Sequence, residues 1–176
     1  MKKNKNYYIN LIYLFIIISI LGYIWELLYF SIKEHNIINR GFLRGPYLPI
    51  YGFCAIFMVI LIKKDKNKVI TYLKCLIFAS IVEYLTSYIL ELIFHHKWWD
   101  YQYEPFNING RITLMNSIIF GVIGFITITY FYPFLEKHLN KIPIKIKTII
   151  SIIIVLIVLT DFIYSTINPH IGYLIT

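Results

Sequence analysis

The sequence predicts an all-α fold: a polytopic transmembrane helical bundle of about five spans, with two structured outer loops. Three observations carry this expectation. Of the 176 residues, 59% are hydrophobic, and the mean hydropathy is +0.67. Only 15% are charged, against about 25% in a soluble domain. The apolar residues are gathered into runs too long for a soluble core of this size, and Lys and Arg fill the short stretches between them. One integral membrane domain over residues 1–176 is expected.

The first run, 7–32, follows Lys2, Lys3 and Lys5. It exceeds the roughly 7–15 apolar residues of a signal peptide, so a retained helix is predicted. Its only charge is Glu26, which falls on one face with Ser19, Gly22 and Tyr23. A polar island, 39–52, follows, punctuated by Gly41, Gly45, Pro46 and Pro49. The next run, 47–62, is short for a span that needs about 20 residues. Either it is a short span, or the island dips into the membrane under the shelter of other helices.

Beyond the basic stretch 63–68, the run 69–94 carries Glu83 and Glu91, and Ser80, Glu83, Ser87 and Glu91 share one narrow arc of a helix. A second polar island, 98–111, combines Trp98, Trp99, Asp100, Asn107, Asn109 and Arg111. The run 112–134 is uncharged, with a small-residue stripe of Thr113, Ser117, Gly121 and Gly124 suited to close helix packing. The last span, 148–167, has Asp161 as its only charge.

The distribution of Lys and Arg sets the expected topology. Twelve lie in the N-terminal tail and the stretches 63–74 and 137–147, and five lie in 33–44 and 97–111. The positive-inside rule then places the N-terminus in the cytoplasm and the C-terminus outside a cell membrane, with both islands on the outer face. The same pattern assigns the net charge of +8 to topology and lipid contact, not to nucleic acid.

The residues that could carry chemistry are the intramembrane acids Glu26, Glu83, Glu91 and Asp161, a candidate polar pocket. The outer-loop residues Asn39, Arg40, Arg44, Asp100, Asn107, Asn109 and Arg111 would roof it. The alternative is a set of acid–arginine pairs that lock loops to helices, because an unpaired buried charge is costly. His95, His96, Asp100 and Glu104 lack a specific metal-ligand spacing, so no metal and no cofactor is expected. Cys54 and Cys75 sit in apolar runs without a CxxC pattern and read as buried thiols. Trp98 and Trp99 suit an interfacial aromatic belt. No phosphate-binding loop and no nucleophile–base pair is visible. The chain is therefore read as a non-enzyme, and a lipid-acting enzyme with Asp100 or Glu91 as base is the weakest alternative.

The island Asn39-Arg40-Gly41-Phe42-Leu43-Arg44-Gly45-Pro46-Tyr47-Leu48-Pro49-Ile50-Tyr51-Gly52 resembles a bacterial membrane family, the putative ABC-transporter type IV proteins. Trp25-Glu26, Glu83-Tyr84-Leu85-Thr86, Trp99-Asp100-Tyr101 and Phe106-Asn107-Ile108-Asn109-Gly110-Arg111 carry the same resemblance, which spans about residues 21–124. It implies a small multi-pass, permease-like transport component. The chain has no nucleotide-binding motif, so an ABC role implies a separate ATPase subunit. The expected partners are the lipid bilayer, that ATPase and other helices in an oligomer. The rival expectation is a non-transport assembly or sensing protein whose outer loops bind a partner.

Overall fold

The computed structural model describes residues 5–34, 38–39, 41–168 and 173–174. Its helices are α1 (Lys5–Glu34), α2 (Pro49–Leu61), α3 (Lys68–Phe94), α4 (Leu114–Ile126), α5 (Tyr132–Leu139) and α6 (Ile144–Ile167). Two small antiparallel ladders complete the fold. One joins β1 (Ile38–Asn39) to β4 (Tyr173–Leu174), and the other joins β2 (Asn107–Ile108) to β3 (Ile112–Thr113).

The described residues include four stretches long and apolar enough to cross a membrane: Lys5–Tyr29, Lys68–Phe94, Leu114–Leu139 and Ile144–Ile167. The expected count of about five spans is thus corrected to four. The predicted run 47–62 yields only α2, with 13 residues. Such a helix is about 20 Å long, short of the ~30 Å hydrocarbon core. Its length is fixed at both ends: Pro46 and Pro49 cannot continue a helix backwards, and Lys63, Lys64 and Asp65 follow it.

The chain divides into two compact units. The first comprises Met1–Gly52 and Phe134–Thr176. There α1 packs on α6, and α1 buries Leu11, Leu14, Phe15 and Ile18. The stretch entering α2 is buried through Leu43, Tyr47 and Leu48, and the Leu48 N–H donates to the Ser19 carbonyl at 2.9 Å. Gly52 allows this approach to α1, since a Cβ there would lie 2.6 Å from the Phe15 carbonyl oxygen.

The second unit is Phe53–Pro133. Its core is Met58, Cys75, Ala79 and Ile128. α3 buries Thr71, Cys75, Ala79, Glu83 and Ser87, one residue in every four, as a single stripe. α4 faces it with Ser117, Gly121 and Gly124. A Cβ on Gly121 would stand 3.1 Å from the Leu76 Cα, so the small side chains set how closely the helices approach.

The α4 helix passes into a π-helical turn, Thr127–Phe131, before α5. Pro133 accounts for it: proline offers no N–H to the Thr129 carbonyl, and its ring crowds that turn. The ladder shifts by one residue, and the Tyr132 N–H donates to the Thr127 carbonyl.

Candidate functional site

In the first unit the polar groups gather near both ends of α6. Toward its C-terminal end, the Asp161 carboxylate accepts from the Arg44 N–H at 3.2 Å, the Gly45 N–H at 2.9 Å, the Tyr47 hydroxyl at 2.7 Å and the Ser165 hydroxyl at 3.1 Å. Consecutive backbone N–H groups turned to one point form an anion-binding nest, and Asp161 sits in it. The Arg44 guanidinium goes elsewhere. It donates to the Asn168 carbonyl at 3.2 Å and lies 5.0 Å from the centre of the Tyr164 ring. Glu26, on α1, accepts from the Tyr51 hydroxyl at 2.8 Å. Asn39 pairs in register with Tyr173 across β1 and β4. Arg40 lies outside the described residues.

Near the other end of α6 stands a cluster the sequence reading did not single out. Lys147 is 1% exposed, and its ammonium donates to the side-chain oxygens of Asn6 and, at 3.2 Å, Asn10. The Asn140 side-chain oxygen accepts from Asn6 at 2.6 Å and from Asn10 at 3.1 Å, and the Tyr13 hydroxyl donates to the Lys147 carbonyl at 3.3 Å. The available signal was the spacing of Asn6, Asn10 and Tyr13 on one face of α1.

In the second unit α3 and the hairpin build a different arrangement. Asn109 and Gly110 have φ of 54° and 68°, and the Arg111 N–H closes the turn on the Ile108 carbonyl at 3.0 Å. Positive φ at both central positions is what a type I′ hairpin turn requires, and it suits Asn and Gly. The turn presents Arg111 to α3, where the guanidinium meets Glu91 at 2.5 Å and the Ser87 hydroxyl at 3.2 Å. It also lies 5.8 Å from the Tyr84 ring centre and 5.3 Å from that of Tyr88. The Asn109 amide donates to the Tyr84 hydroxyl at 2.9 Å, and the Trp99 indole donates to the Arg111 carbonyl at 3.0 Å.

Asp100 and Asn107 hold the loop in shape. Asp100 accepts from the Gln102 N–H at 3.0 Å and pairs with Lys97 at 3.2 Å. Asn107 donates to the carbonyls of Gln102 and Glu104 and accepts from the Gly110 N–H at 3.0 Å. α3 ends in a left-handed cap at His95, so His96, Asp100 and Glu104 do not share a helix face. Among the described residues no cluster of His, Cys, Asp and Glu could hold a metal ion.

Glu83 is the deeper acid of the second unit. It is 5% exposed and lies between Ala79 and Ser87 on the buried stripe of α3. The acids thus divide: Glu26 and Asp161 belong to the first unit, Glu83 and Glu91 to the second.

The chain matches the family described as putative ABC-transporter type IV over residues 13–166. No curated protein and no solved structure matches it.

Proposed function

The chain belongs to that family, and from this premise we propose that it is the permease-like membrane component of an ABC-type transporter, working with a separate ATPase subunit. The observation that carries the reading is Glu83, a carboxylate 5% exposed within a helix long and apolar enough to cross a membrane. An ionisable side chain at that depth is costly, and such residues mark the paths of ions, protons and polar solutes. On this reading Glu83 meets the transported cation or polar solute. The Glu91–Arg111 pair, about 12 Å further along α3, closes the outer end of the path in this unit. The chain itself performs no reaction and takes no cofactor. It resides in the cell membrane with the 98–111 island outside, and its helices pack against further copies or subunits; four spans leave both termini on one side of the bilayer, in place of the opposite sides expected from five.

Affinity purification in mild detergent tests the reading. An ATP-hydrolysing subunit co-purifies with the tagged chain if it holds. Co-purification of a membrane partner without any ATPase would instead support the assembly or sensing role. Orientation is tested separately with an impermeant thiol reagent added outside intact cells. Asn107→Cys is labelled and Asn67→Cys is not, and the reverse pattern would invert the topology.

A further inference from the structure

A cleft in the second unit has no part in the reading above. It lies between α3, the β2–β3 hairpin and α4, with a volume of about 510 Å³. That is within the roughly 300–1,000 Å³ of small-molecule sites. Its walls include Ile81 and Leu85 of α3 and Ile108 of the hairpin, all exposed apolar side chains. The two serine hydroxyls that line it are turned to the protein. Ser80 donates to the Leu76 carbonyl at 2.8 Å, and Ser117 donates to the Thr113 carbonyl at 2.9 Å. The cleft therefore suits hydrocarbon better than a polar solute.

We infer that this cleft binds one acyl chain of a bilayer lipid. Two observations favour that occupant. First, both α3 and the helix beginning at Leu114 are long and apolar enough to cross a membrane. The exposed Ile81 and Leu85 line the cleft, so it is continuous with the face a bilayer covers. Second, the small-residue face that would admit a helix from another copy is already occupied. Gly121 stands against Tyr72 and Leu76, and Gly124 against Met58 and Cys75. Phe106 forms part of the wall, 79% exposed and with its backbone at φ 54°. That conformation is strained for a bulky residue. It is held where the Phe106 carbonyl accepts the Leu114 N–H at 3.2 Å, at the start of α4.

The test reconstitutes the full chain in phosphatidylcholine–phosphatidylglycerol vesicles containing a phosphatidylcholine with a diazirine-bearing acyl chain. After illumination, labelled peptides are mapped by mass spectrometry. Labelling concentrates in residues 80–85 and 106–117, several-fold above the exposed stretch 152–157 of α6. Ser117→Phe, which fills the cleft from within, and Leu85→Trp, which fills it from the exposed side, each reduce that labelling several-fold. The Leu85 variant keeps the test decisive if the Ser117 variant does not fold. Equal labelling of all exposed helix faces, or labelling unchanged in folded Leu85→Trp protein, would overturn the inference. So would a disulfide-linked dimer of Ile81→Cys protein with the lipid label lost, because the cleft would then belong to a second copy.

Discussion

Two carboxylates hold loops in this protein, and they do so by different chemistry. Asp161 is surrounded by neutral donors, two of them backbone N–H groups of Arg44 and Gly45. Glu91 is met by a guanidinium, that of Arg111, which Ser87 and the rings of Tyr84 and Tyr88 also contact. The first arrangement recognises a backbone shape, and the second a single side chain. A backbone nest cannot be removed by mutation, whereas an ion pair can be removed from both sides. The two should therefore respond differently to substitution, and most differently to compensation.

The largest effect is expected at the nest. Asp161→Ala leaves the Gly45 and Arg44 N–H groups and the Tyr47 hydroxyl without their acceptor, a loss of about 3 kcal/mol. The thermal unfolding midpoint of purified protein in detergent reads it, and no second side-chain truncation recovers it. Arg111→Met comes next. The Glu91 side chain is 35% exposed, so the loss is about 2 kcal/mol, below the 3–5 kcal/mol of a fully buried broken pair. The double variant Glu91→Leu/Arg111→Met recovers most of that loss, because no charge is left behind. Failure of the recovery would remove the distinction between the two loops.

Gly110→Ala tests the hairpin that aims Arg111. Gly110 has φ 68°, and a Cβ would run into the Asp100 carboxylate. About 1–2 kcal/mol is expected from the left-handed backbone alone, together with a shift in Trp fluorescence as the Trp99 indole loses the Arg111 carbonyl. The smallest effect is Tyr47→Phe, which removes one of four donors to Asp161. It costs about 1 kcal/mol, and a loss equal to that of Asp161→Ala would mean that the backbone donors contribute nothing.

The long helices were legible in the sequence because apolar runs and basic loops have strong signatures. The stripe on α4 was legible too: Ser117, Gly121 and Gly124 are buried as expected. The second span was not, since hydropathy counts residues and does not register that Pro49 starts the helix. Pro133 was visible inside an apolar run, but a proline does not announce whether its helix will kink, stop or take a π-turn. Among the acids, Glu91 and Arg111 were placed on one side of the membrane by charge counting, while their contact needed the turn at Asn109 and Gly110. The nest around Asp161 was invisible because backbone N–H groups carry no residue signature. Lys147 was counted with the basic loop 137–147 as a topology signal, yet it is buried among asparagines from distant parts of the chain.

The proposed role rests on the buried carboxylate of α3. The most direct measurement is ATP hydrolysis by the co-purified complex in lipid vesicles, comparing the natural chain with Glu83→Gln at matched amounts of folded protein. The account predicts that an ATPase is present and that its turnover changes several-fold when Glu83 loses its ionisable carboxyl group. A chain that purifies intact without any ATPase, or a complex whose turnover is identical with Gln at position 83, would contradict it.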